Sequence, residues 1–181
     1  MKYRFSFTFF ILSIVILCFL LYVPSLYSAE GIPDADKKQS QSFEGFLYFI
    51  DTDGKYLKAV EQKFSADLNN NELGLAILKA LITGPALDEF GVTLPKGTKI
   101  NAFFTTGDGK AFIDFDRNIS TLRSYSAQTE MLTIYSIVNS IVLNIDGVER
   151  VKILIQGENA QTLSGHINLD CFYEANMLIV K

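Results

Sequence analysis

Residues 5–23, FSFTFFILSIVILCFLLYV, carry no charge and follow Lys2 and Arg4. A run of about twenty apolar residues matches the hydrocarbon thickness of a bilayer when helical. The positive charges before it hold that end on the cytoplasmic side, so whatever follows is delivered across the membrane. The run reads equally as an uncleaved anchor or as a signal peptide. Ala29 is a good last residue before a cleavage site although Tyr27 suits the −3 position poorly, and Val23 with Ser25 offers a second site. Cys18 follows Leu17 rather than the small residue a lipobox wants, so it reads as an ordinary apolar residue of the span.

The leader therefore occupies residues 1–29. Residues 30–44, EGIPDADKKQSQSFE, have little to bury and read as a linker, and a single domain takes residues 45–181. With 49% hydrophobic and 13% aromatic residues the chain is not disordered. Lys2 and Arg4 account for two of the 16 basic residues and the leader holds none of the 20 acids, which leaves the remainder at a net charge of −6. An acidic domain without a basic stripe excludes nucleic acid as a partner. Cys171 has no intrachain partner outside the leader, so neither a disulfide framework nor a cysteine zinc site can be built. No cofactor is expected.

Local patterns set the element order. FLYFID (46–51) and YLKAVEQKF (56–64) read as two strands joined by the turn Asp51-Thr52-Asp53-Gly54. Asn69, with Glu72 three residues on, starts a helix over 72–84 that Gly84-Pro85 stops. INAFFTT (100–106) and KAFIDFD (110–116) form the clearest hairpin, with Phe112, Asp114 and Asp116 opposite Ala111, Ile113 and Phe115. Met131, Ile134, Tyr135, Val138, Ile141 and Val142 predict a long helix over about 129–144. VERVKILIQG (148–157) is a further strand, and MLIV (177–180) a last apolar run. The order β-β-α-β-β-α-β predicts an α+β fold, a two-layer sandwich with a mixed, mostly antiparallel sheet covered by two helices.

Five segments in this order resemble the GerMN family of sporulation and spore germination domains. Ala80-Leu81-Ile82-Thr83-Gly84-Pro85 resembles the family's A-L-L-x-G-P, and Leu94-Pro95-Lys96-Gly97-Thr98 its I-P-x-G-T. Gly109 to Asp116, containing Asp114, is similar to G-x-a-x-V-D-F-S with aspartate for the final serine. Tyr135 to Ser140, with Asn139, is similar to Y-S-I-V-N-T. Val151 to Gly157 followed by Gly165-His166-Ile167-Asn168-Leu169 resembles V-x-I-L-I-x-G and G-H-V-D-L. The likeness covers roughly residues 46–172. It implies an extracytoplasmic module without catalytic activity, with a fold similar to the ring-building motifs of envelope assemblies. It also implies structural roles for Gly84, Pro85, Pro95, Gly97, Thr98, Asp114, Asn139, Gly157, Gly165 and His166.

Each candidate for chemistry also has a plainer account. His166, the only histidine, could form a cluster with Ser164 and Asp170, but a structural place after the last long strand explains it better. Asp51-Thr52-Asp53-Gly54 starts like a calcium loop, yet Lys55 stands at position five and Gln62 at position twelve, which favours a simple turn. Asp114 and Asp116 could work as a glycosidase pair, though a solvated sheet face suffices. Pro95-Lys96-Gly97-Thr98 lacks phosphate-loop spacing and reads as a rigid turn. Asn139, among apolar neighbours, needs a bonding partner and is expected to tie its helix to a loop. The reading is a non-enzymatic envelope module that assembles with other envelope proteins or itself. The alternative is a protein that binds or hydrolyses peptidoglycan through Asp114, Asp116 or His166.

Overall fold

The computed structural model describes residues 41–85, 90–91, 93–122 and 126–181. The leader with Cys18 and most of the linker lie outside the described residues. Among the described residues, no helix is long and apolar enough to cross a membrane.

Strands β1 (Ser42–Ile50) and β2 (Leu57–Ser65) pair antiparallel as a hairpin. Helix α1 (Asn70–Thr83) follows, then the antiparallel pair β3 (Ile100–Thr105) and β4 (Lys110–Phe115). A 3-10 turn over Arg117–Leu122 leads to helix α2 (Ala127–Val142). Strand β5 (Arg150–Ile155) lies parallel to β4, and short strands β6 (Glu158–Asn159) and β7 (Tyr173–Glu174) pair with β5. This is the α+β sandwich predicted from the pattern. Because β4 and β5 run parallel, the chain must cross over between them, and α2 is that crossover.

The first hairpin departs from the single-sheet expectation. It forms its own two-stranded sheet, while β3, β4, β5, β6 and β7 make the other. The edge of β1 is paired all the same, by side chains of α2 and its C-terminal turn. Tyr48 donates its amide to Ser140 Oγ at 3.0 Å and accepts at its carbonyl from Ser136 Oγ. Two residues back, Phe46 donates to Asn144 Oδ1 at 2.9 Å and accepts from Asn144 Nδ2 at 2.7 Å. Ser136, Ser140 and Asn144 are four residues apart, a rise of about 6 Å on a helix. Successive edge positions on a strand are about 6.7 Å apart, so the helix can take the place of a third strand. One step further along the edge, Thr93 Oγ1 accepts from Ile50 N at 3.3 Å, and Thr93 O accepts in turn from Thr133 Oγ1 of α2 at 3.2 Å. Gly45 permits the approach: a Cβ there would sit 2.3 Å from Asn144 Oδ1.

This placement buries α2 nearly all round, not on one stripe. Its Ile134, Ile137, Val138 and Ile141 join Leu47, Phe49, Ile113, Phe115 and Ile153 in the main core. On another side Leu132 packs with Tyr48, Ile50 and Leu57 in a smaller cluster. Both helix starts follow local rules. Asn69 and Glu72 form a reciprocal capping box on α1, and Ser126 caps α2 by accepting from Thr129 N, so that α2 begins two residues before the predicted start.

Candidate functional site

Glu130 lies in the first turn of α2, where the helix dipole favours an anion. Its side chain is fully buried. One oxygen, Oε1, accepts from the amides of Leu163 and Ser164, both at 2.9 Å. The other, Oε2, accepts from the amide of His166 at 2.9 Å and lies 3.0 Å from His166 Nδ1. Gly165, at φ 109°, supplies the backbone bend between these amides. Burial pushes the Glu130 carboxyl up, but the amides of Ser164 and His166 and the His166 ring outweigh it and hold the group below the ordinary carboxylate value. A carboxylate ringed by donors stays charged although it is buried. The loop is a concave set of amides of the kind that binds anions, and it is filled by the protein's own side chain.

The cluster imagined around His166 is corrected by this arrangement. Asp170 pairs with Lys152 at 2.9 Å, and Ser164 gives its amide to Glu130 Oε1. The acid that meets His166 is Glu130, 36 residues away in sequence. Glu130 could orient the ring, as an acid–base histidine requires, but among the described residues no nucleophile is bonded to the ring. A pocket of about 380 Å³ beside the loop is lined by Ser120, Thr162, Leu163, Ser164 and Gly165, not by His166.

Asp114 and Asp116 are engaged separately. Asp114 Oδ1 accepts from Gly157 N at 2.7 Å and so fastens the two-residue turn between β5 and β6, in which Gln156 (φ 56°) and Gly157 (φ 76°) are both left-handed. Asp116 accepts from Lys99 N at 2.9 Å and from Asn118 Nδ2 at 2.8 Å. Each carboxylate holds a different loop, whereas a glycosidase pair faces one cleft.

The remaining candidates are also bound into the backbone. Asp51 Oδ1 accepts from Lys55 N at 2.8 Å and Tyr56 N at 3.1 Å, which closes the hairpin turn. Among the described residues, no group of three or more histidine, cysteine, aspartate or glutamate side chains could hold a metal. Asn139, fully buried, donates to Asn176 O at 3.0 Å and accepts from Asn176 N at 2.9 Å, which ties α2 to the C-terminal segment. Gly84 caps α1 by donating to Ala80 O, with Pro85 next. Thr98 donates from its amide and its hydroxyl to Pro95 O around Gly97, forming the turn that enters β3.

One feature of the surface has no trace in the sequence reading. Between α1 and β3 an open groove of about 920 Å³ is lined by Leu75, Lys79, Ile82, Lys99, Ile100 and Phe103, among others. It is formed where two elements meet, which no local pattern encodes.

A model of the Germane family, described as sporulation and spore germination, matches residues 46–161. A candidate lipoprotein from Clostridium perfringens has a similar structure, with a TM-score of 0.54 and 26% identity over 74% of this chain and 87% of that one. The tandem GerMN domains of the sporulation protein GerM from Bacillus subtilis align with a TM-score of 0.54 and 20% identity over 71% of this chain. This chain spans 45% of that two-domain chain. The first GerMN domain of the same protein, at 19% identity and a TM-score of 0.54, is covered over 98% of its length and aligns with 75% of this chain. No characterised protein sequence matches this chain.

Proposed function

Because this chain belongs to the Germane family of sporulation and spore germination domains, we propose that it is a non-catalytic module on the outer side of the cytoplasmic membrane, joining other envelope proteins or a second copy of itself. The observation that carries this reading is the state of Glu130. The acid that meets the histidine among the described residues is consumed by three backbone amides and serves as a loop anchor. Asp114 and Asp116 are likewise spent on loops. The location rests on the apolar run at 5–23 behind Lys2 and Arg4, and similarity to a candidate lipoprotein supports it.

The test has two arms. The full chain is crosslinked in its own cells, and sized by light scattering in detergent. Captured envelope proteins or a defined oligomer are the expected result, and a strict monomer with no crosslinked partner would refute the assembly role. In parallel, the parent and the triple variant Asp114→Ala, Asp116→Ala, His166→Ala are assayed on peptidoglycan. Turnover by the parent that vanishes in the variant would replace this reading with the hydrolase alternative.

A further inference from the structure

We propose that the groove between α1 and β3 takes an extended, carboxylate-bearing peptide segment of a partner protein, which adds to the edge of β3 as a further strand. The inference rests on the assembly reading above and names its surface.

The edge is open. Strand β3 ends the order of the five-stranded sheet, with β4 on one side and no strand on the other among the described residues. Thr105 N points to that free side and is satisfied by Asn71 Oδ1 of α1 at 3.0 Å. Backbone groups alternate along a strand, so the amide and carbonyl of Phe103 face the same side, toward the groove. At the Thr105 end α1 lies tight on the sheet, since a Cβ on Gly74 would sit 2.1 Å from the Phe103 ring. Beyond that contact the groove is lined by the apolar Leu75, Ile82 and Ile100 beside the exposed edge. A backbone edge beside an apolar trough is the arrangement that strand addition uses, the edge giving affinity and the trough taking alternate side chains.

Charge selects the occupant. Among the described residues the groove is lined by Lys79 and Lys99 and by no acidic residue, on a domain that is acidic overall. A ligand with carboxylates is drawn to this position and repelled elsewhere. The edge also disfavours a second copy of the chain. A β-bulge between Ile100 and Ala102 breaks the flat ladder, and Asn71 closes the far end. Both devices blunt sheet-to-sheet pairing, while a short flexible peptide can follow the bend.

The experiment uses the full chain in detergent and fluorescent hexapeptides, binding being read by anisotropy. The first alternates valine or isoleucine with glutamate, the second replaces each glutamate by lysine, and the third N-methylates alternate backbone amides of the first. The acidic peptide is expected to bind at least about tenfold more tightly than the lysine peptide, and N-methylation is expected to abolish binding. Lys79→Glu with Lys99→Glu should reverse the preference, with far-ultraviolet circular dichroism unchanged. Equal binding of the acidic and lysine peptides, or full binding of the N-methylated one, overturns the proposal. So does self-association that Lys99→Glu abolishes, because the occupant is then a second copy. If no peptide binds but crosslinking in cells still captures a partner, this groove is wrong and the assembly role stands.

Discussion

Of the ten buried residues of α2, five are polar or charged; of the five buried residues of α1, none is. Each of the five in α2 bonds to backbone outside its own helix. Glu130 holds the 163–166 loop, Thr133 donates to Thr93 O, Ser136 and Ser140 hold Tyr48, and Asn139 holds Asn176. Helix α1 is held by apolar packing through Leu73, Ile77, Leu78 and Leu81, and its polar ties to other elements among the described residues lie near its N-terminus, at Asn70 and Asn71. Directional bonds leave no room to slide, and apolar packing does. The difference teaches where this fold is fastened and where it has surface to spare: the chain is organised around α2, and the open groove lies beside α1.

That contrast can be broken most directly at Glu130. Glu130→Ala leaves three amides without an acceptor, and we expect a loss of about 3–5 kcal/mol in denaturant unfolding. A loss under 1 kcal/mol would mean the loop finds other acceptors and α2 is no spine.

Acid should act on the same anchor. The Glu130 carboxyl is held below its ordinary value of 4.5 when folded, so the unfolded chain takes up the proton first as pH falls. The stability it contributes is present above about pH 4.5 and is lost as pH drops through the lower folded value. Unfolding free energy measured against pH should therefore fall on the acid side in the parent and less steeply in Glu130→Gln. Parallel acid limbs would remove Glu130 from the account.

Asn139→Ala should cost about 3 kcal/mol, since it strands the amide and carbonyl of Asn176 and leaves a void. Hydrogen exchange should then rise around residue 176 before it rises in α1. Exchange that rises in both helices together would argue against a local tie.

On the α1 side the sensitive site is steric. Gly74→Ala improves helix propensity by up to about 1 kcal/mol, yet its Cβ would overlap the ring of Phe103, which is itself buried. We expect the clash to win by about 2 kcal/mol, measured as a lower midpoint in urea. Smallest of all, Lys79→Ala and Lys99→Ala should stay within about 0.5 kcal/mol of the parent. Larger losses would show that the groove walls hold the fold and are not free for a ligand.

Much of this was legible beforehand because it is written in local chemistry. Alternation in KAFIDFD places Ala111, Ile113 and Phe115 inside, and all three are fully buried. Asn69 with Glu72, and Gly84 before Pro85, bound α1 through caps that need only neighbouring residues. The separate hairpin was not legible, because its edge is satisfied by Ser136, Ser140 and Asn144, almost 100 residues further on. Their four-residue spacing along α2 and its C-terminal turn was the available signal. Glu130 was missed for a related reason, since a single glutamate in the first turn of a helix reads as a favourable charge at a helix start.

The sequence by itself determined the five long strands and two helices, their order, the acidic character of the domain and the apolar segment ahead of it, but not the short strands β6 and β7. These follow from side-chain periodicity, turn residues and charge, which act over a few residues at a time. Only the tertiary structure decided that His166 meets Glu130 and not Asp170, that α2 completes the edge of β1, and that α1 leaves a lysine-flanked groove along β3. Those outcomes depend on which surfaces meet once the chain is compact, and a buried carboxylate or an open edge is defined only by the neighbours that packing brings to it.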